Sequence, residues 1–364
     1  MLTHAQQRAL DYVGQYAAER RDNHRRRIHA VLSDAHLAMD PDDLLVGVGR
    51  LATLTVNFHP DRLVADGRSV IAALYDDGIY RSQFETKISN GGLTAHPGGD
   101  RDRWEGRMLG GAYQVAGVTD AERPKYGGLN LMHYTDGACP RFGSCHLRLK
   151  QRLVSAATLT FGDSNANPTD IGTIAAFEPL LAGLLERIAA DRNALGRKGV
   201  TVSDFASALA DDGQAFFQPA QGRALDDYIE AQLHGELRLA HDVEAIVGDP
   251  SFRGTATGAL LEATAEKYGL SLAWHDGFAL TLPEIPDDFR GPEMLPLAGR
   301  ILKNYAIGSE YVDAATIGVA AVSVVVHPQE WVDWGSPRDT LQYIKYLWHT
   351  LVVFGKPKPQ TSPQ

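Results

Sequence analysis

The residues able to do chemistry are gathered on a few short stretches. In DDYIEAQLHG, a period of two puts Tyr228, Glu230, Gln232 and His234 on one strand face, with Ile229 and Leu233 on the other. A row of polar and amphipathic groups suits a cleft wall. Asp227 stands one residue before Tyr228; the plain alternative for the row is an exposed edge strand. A second set lies between Thr55 and Tyr113. An apolar strand in TVNFHPDR carries His59 and Arg62 to its end, a helix of about three turns follows, and a second strand presents Arg81, Gln83 and Thr86. Gly91, Gly92, Gly98 and Gly99 follow, letting backbone approach a bulky anion closely. The order reads as a nucleotide cradle or, more simply, as a strand-helix-strand unit with a polar surface loop.

These stretches need a scaffold. Residues 3–38 have apolar positions Leu10, Val13, Ala17, Ile28, Val31 and Leu32 at helical spacing, with a basic run ERRDNHRRR whose face is solvated or binds an acidic surface. Asp40-Pro41-Asp42-Asp43 opens a further helix over 44–54. KYGGLNLMHY, FGSCHLRLK and SAATLTFGDS read as strands, and residues 163–168 as a loop. Helical spacing returns over 170–211, where Ser203 is the expected N-cap of the second helix. Beyond the Glu230 strand come a mixed region with a helix in GALLEATAEKYG and one strand in LSLAWHDGFAL, then a proline-rich connector. A helix over 297–304, an apolar strand over 317–326, a helix over 338–354 and a disordered tail complete the expectation.

Composition excludes more than it identifies. The 364 residues are 44% hydrophobic with a net charge of -10, which argues against general nucleic-acid binding through phosphate neutralisation. The longest apolar runs stop near ten residues, too short to span a bilayer, so no stable membrane insertion is expected. The N-terminus does not resemble a signal peptide. Cys139 and Cys145, spaced as CPRFGSC, form neither a disulfide framework nor a zinc knuckle and read as incidental thiols. A GxxxxGK[ST] loop, a GxGxxG after a strand, a GxSxG elbow and an HExxH helix are all missing. His133, His146 and His234 lie in expected strands, but their spacing requires no metal, and none is expected.

FHPDR, GIYRSQFET and LGGAY together resemble the opening of the ADP-ribosyltransferase fold. YRSQFETKISNGGLTAHPGG, ERPKYGGLNLM, FGSCHLRLK, TLTFGDS and YIEAQLHG are similar, across roughly residues 50–255, to the CteC-type bacterial effector family, also called CHARM. The resemblance implies an α/β (α+β) fold: an ADP-ribosyltransferase-like split, mixed and antiparallel sheet forming an NAD cleft, with helical elaborations at both ends. It divides the chain into a helical region 1–50, a core 51–255, a mixed α/β elaboration 256–355 and a tail 356–364. The implied activity is mono-ADP-ribosylation of a protein hydroxyl, a threonine of ubiquitin, with NAD as substrate. Implied roles are Glu230 or Asp227 as the catalytic acid and Gln232 holding the acceptor. His59, Arg62, Arg81 and Gln83 would bind the dinucleotide, and Tyr113 would stack on nicotinamide. No Ser-Thr-Ser triplet or Glu-x-Glu is present; the late strand reads Glu-x-Gln. The alternatives are an NAD glycohydrolase using the same cleft and an inactive ubiquitin- or nucleotide-binding module. A family of this kind implies synthesis in a bacterial cytoplasm and delivery to a host cytosol.

Overall fold

The computed structural model describes residues 1–87, 95–210, 220–306 and 308–359. Gly91 and Gly92 of the expected cradle loop lie outside the described residues. Helices α1 (His4–Glu19), α2 (Arg21–Asp34) and α3 (Pro41–Leu51) open the chain, as their spacing predicts. The basic run is in part a solvated face, with Arg20, Arg21 and Arg26 exposed, but some of its charge is paired within the fold: Arg21 pairs with Glu178 at 2.9 Å, and Arg27 pairs with Asp170 at 2.8 Å and Glu186 at 2.6 Å. β1 (Leu54–Phe58) follows, then α4 (Val70–Asp77), about two turns rather than three.

β2 (Ile79–Tyr80) stops short of Arg81, so the expected strand through Thr86 is corrected. Ser82 instead caps α5 (Gln83–Thr86), its hydroxyl accepting from the Glu85 N–H while the Glu85 carboxylate accepts from the Ser82 N–H. This reciprocal capping box outweighs the strand pattern. α6 (Asp100–Met108), β3 (Lys125–Leu129), β4 (Cys145–Leu149), β5 (Ala157–Phe161) and β6 (Ile171–Thr173) come next. α7 (Glu178–Asp191), the short pair β7 (Asn193–Ala194) and β8 (Arg197–Lys198), and α8 (Val202–Ala210) follow. Thr201, not Ser203, caps α8: its hydroxyl accepts from the Asp204 N–H at 3.1 Å.

β9 (Ile229–Leu233) leads to β10 (Leu237–Arg238), α9 (Leu239–Asp242), β11 (Val243–Gly248) and α10 (Ala256–Tyr268). The single strand expected in LSLAWHDGFAL is two, β12 (Ser271–Trp274) and β13 (Ala279–Thr281), in different sheets. α11 (Met294–Tyr305) and β14 (Tyr311–Asp313) precede α12 (Ala314–Val326), a helix where a strand is expected. A short apolar run has no decisive period. Asp313 caps this one, accepting from the Thr316 N–H at 2.8 Å, and α12 packs against both α11 and α13 (Pro337–Phe354), which also pack on each other. The tail is partly docked: Lys356 exchanges both backbone hydrogen bonds with Ala279 at 2.9 Å, and residues 360–364 lie outside the described residues.

The structure is a mixed α/β arrangement built on an eight-stranded sheet of order β12-β11-β4-β1-β3-β9-β5-β6. Only the β11–β12 pair is parallel. β9 lies between β3 and β5 and is buried along its whole length, so the row it carries is not on an edge strand. One apolar cluster runs from Ile28 on α2 through the sheet to Val352 on α13, joining the regions either side of residue 255. Among the described residues, no helix is long and apolar enough to cross a membrane.

Candidate functional site

β9 carries Glu230 into the middle of the sheet, opposite Gly128 on β3 and Thr160 on β5. Gly128 has no side chain because there is no room: a Cβ there would meet Cys139 Sγ at 2.5 Å and Ala138 Cβ at 2.7 Å. Glu230 is 5% exposed and lines a cavity of about 200 Å³ together with Arg101, Trp104, Tyr126, Arg141, Asp163 and Lys345. Burial, then the nearby Asp163 charge, pushes its carboxyl up to about 7. Hydrogen bonding with the Ser164 side chain and the Gln232 amide favours the ionised form and opposes that rise.

The support behind Glu230 is a directional chain. Gln232 Nε2 donates to Glu230 Oε1 at 2.9 Å, and Thr158 Oγ1 donates to Gln232 Oε1 at 2.8 Å. His234 Nε2 lies 3.1 Å from Thr158 Oγ1, and His234 Nδ1 lies 2.5 Å from the Tyr113 hydroxyl. Burial pushes the His234 imidazole down to about 3, so it is neutral. With the Thr158 proton committed to Gln232, Nε2–H donates to Thr158 and Nδ1 accepts from Tyr113. Four hydrogen bonds thus point one way, towards Glu230.

A second cavity, of about 550 Å³, lies beside the first and shares Asn57, Tyr80 and Gln83 as lining residues. His59 and Arg62, brought there by the end of β1, line it, as do Arg81 and Thr86. His59 packs edge-on to Trp348 with ring centroids 5.3 Å apart, and burial drives its imidazole down to about 3. Arg81 is exposed and already paired with Asp77 at 3.1 Å and Glu85 at 3.3 Å. Arg62 forms no ion pair among the described residues, and its Nε is buried without a partner. The unpartnered buried atoms Gln83 Oε1, Arg101 Nε and Trp104 Nε1 also belong to residues lining these cavities. Buried polar groups left unpaired are costly, so such a cluster fits a polar ligand.

Three expected site residues line neither cavity. Tyr113 is 1% exposed, inside an apolar cluster with Val13 and Leu109, stacked on His234 rather than facing a cavity. Asp227 lines neither cavity and accepts from the Gly196 N–H at 3.1 Å. Gln232 is fully buried and braces Glu230 from behind; it does not reach a cavity. Cys139 and Cys145 are buried and unpaired. The three histidines considered for a metal stand in different settings: His133 sits in a left-handed turn with Nε2 2.9 Å from the Leu51 carbonyl, His146 is on β4 with its Nδ1 buried and unpartnered, and His234 is in the chain behind Glu230. The sequence reading missed Arg101, Trp104, Arg141 and Lys345. DRDRW has the i, i+3 spacing that puts Arg101 and Trp104 on one helical face, and Arg101 stacks over the Trp104 and Tyr126 rings at 4.5 and 4.4 Å.

The family described as Protein of unknown function (DUF3626) matches residues 53–354. The chain belongs to the DUF3626 family. The DUF3626 match runs from just before β1 to the end of α13, and so takes in Glu230, Arg62 and Lys345 together. No curated protein matches the chain.

Proposed function

We propose that this DUF3626 protein is a mono-ADP-ribosyltransferase that moves ADP-ribose from NAD to a protein hydroxyl, with a threonine of ubiquitin as the acceptor suggested by the CteC-type resemblance. The observation that carries the reading is Glu230: a buried carboxylate, held at about 7, in a cavity that adjoins the larger one lined by His59 and Arg62. On this reading the two cavities form the NAD cleft of an ADP-ribosyltransferase-like fold. The dinucleotide lies along the larger one, and its nicotinamide riboside end reaches Glu230.

The C1′–nitrogen bond breaks with its electron pair leaving on nicotinamide. The Glu230 carboxylate stabilises the resulting oxocarbenium-like ribose. The acceptor oxygen bonds to C1′ and its proton passes to Glu230, whose affinity for a proton near neutral pH suits it as a base. Gln232 orients the carboxylate instead of touching the acceptor. Neutral His59 supplies ring donors and acceptors for ribose hydroxyls, and Arg62 the charge for a phosphate. Synthesis in a bacterium and delivery to a host cytosol accompany the reading.

Intact-mass analysis of ubiquitin, and of a cell lysate, after incubation with the protein and NAD tests the reading. A gain of one ADP-ribosyl group, absent with Glu230→Gln, is expected. Nicotinamide release with no labelled protein would replace the transferase by a glycohydrolase.

A further inference from the structure

The C-terminal helix α13 supplies a charge to the Glu230 cavity. Trp348 Nε1 donates to the Pro140 carbonyl at 2.8 Å, pinning α13 against the turn that carries Arg141. This seats Lys345, half-buried, in the cavity wall beside Arg141. Lys345 makes no hydrogen bond or ion pair among the described residues. Burial, then the Arg141, Arg290 and Arg62 charges, pushes its ammonium down to about 8. Arg141 donates to the Leu225 carbonyl at 2.8 Å and pairs with Asp226, a carboxylate 70% exposed and so weakly compensating. Arg290 is 3.9 Å from the same carboxylate. The Nε atoms of Arg62, Arg141 and Arg290 and both ring nitrogens of His349 are buried without partners. The acids of this cavity are Asp163 and Glu230, and Asp61 is the acid beside Arg62. A chain of net charge -10 thus gathers cations at one place and leaves them under-paired.

We propose that α13 completes an oxyanion site in the Glu230 cavity, in which Lys345 and Arg141, backed by Arg62 and Arg290, hold a phosphate-class group. Ammonium and guanidinium donors around one concavity match the several acceptor oxygens of such a group. The anion belongs either to the diphosphate of NAD or to the acceptor; only that choice of source rests on the proposed transferase reading.

Calorimetric titration of the full chain with inorganic pyrophosphate tests the site, with Lys345→Gln, Lys345→Arg and, as a control, Lys356→Gln at an exposed lysine paired with Glu284. Lys345→Gln weakens pyrophosphate binding about tenfold, Lys345→Arg retains most of it and the control changes nothing. Absence of pyrophosphate binding by the native chain, or equal binding by Lys345→Gln, overturns the proposal. Parallel titrations with NAD assign the source: NAD affinity falling in step with pyrophosphate makes the anion the dinucleotide's, and NAD affinity unchanged while pyrophosphate is lost makes it the acceptor's. Should NAD not bind the native chain at all, the transferase reading fails while the pyrophosphate titration still decides the oxyanion site.

Discussion

Gln232 holds Glu230 by a 2.9 Å hydrogen bond from Nε2 to Oε1, and the two side chains project from the same face of one strand. The amide cannot turn over without cost, because Thr158 donates to its oxygen at 2.8 Å. Removing this donor withdraws support from the ionised carboxylate and raises its proton affinity further. Gln232→Leu therefore moves the acid limb of the pH profile for NAD cleavage to higher pH. Thr158→Val does the same to a smaller degree, and Thr158→Ser restores the native profile. A profile that stays in place in Gln232→Leu contradicts the assigned support.

Glu230 also costs stability where it is ionised. Its folded-state value of about 7 lies above the ordinary carboxyl range. The folded state therefore holds a proton that the unfolded chain has lost between the two values, and this contribution to stability declines as pH rises through that window. Glu230→Gln escapes the decline. Denaturant unfolding at pH 8 should show the variant more stable by on the order of 3 kcal/mol, with the advantage gone below about pH 4. A variant equally stable at both pH values means that the carboxyl is not so perturbed.

Tyr113 separates a structural from a catalytic role. Its hydroxyl meets His234 Nδ1 at 2.5 Å inside a closed apolar cluster. Tyr113→Phe leaves that nitrogen without a donor and should cost about 1–3 kcal/mol, with the KM for NAD unchanged. A raised KM in Tyr113→Phe would put the hydroxyl in the NAD site, and a folded Tyr113→Leu variant with a raised KM would restore the nicotinamide-stacking role.

Asp227→Asn should leave NAD cleavage within about twofold, because the amide oxygen can still accept the Gly196 N–H at small net cost. Loss of activity in this variant with Glu230→Gln still active would move the acid to Asp227.

Strand and helix content was legible wherever the period was clear: the amphipathic helices α1 and α7, the alternation of β9, and the apolar strand β1 ending at His59 and Arg62. It failed where local chemistry or packing outweighed pattern. Ser82 and Glu85 close a helical turn on residues that read as strand, and Asp313 starts a helix in a valine-rich run that packs against two others. That Glu230, His59 and Arg62 face cavities was legible from residue type and period, since strand ends and an alternating polar face are local signals, whereas Gln83 lines both cavities from a helical turn and not from the expected strand. Tyr113 could not be judged, because its aromatic ring serves a core as readily as a ligand. Lys345 carried no signal: it enters the site only because Trp348 pins α13 to a turn some two hundred residues earlier.

On the proposed function, Glu230 drives cleavage of the nicotinamide glycosidic bond of NAD. Chromatographic measurement of nicotinamide released from NAD, comparing the native chain with Glu230→Gln in the presence of an acceptor protein, tests it most directly. Release by the native chain, reduced about 10²–10³-fold in the variant, is the predicted result. Equal release by the two proteins, or none by the native chain with any acceptor, would contradict it.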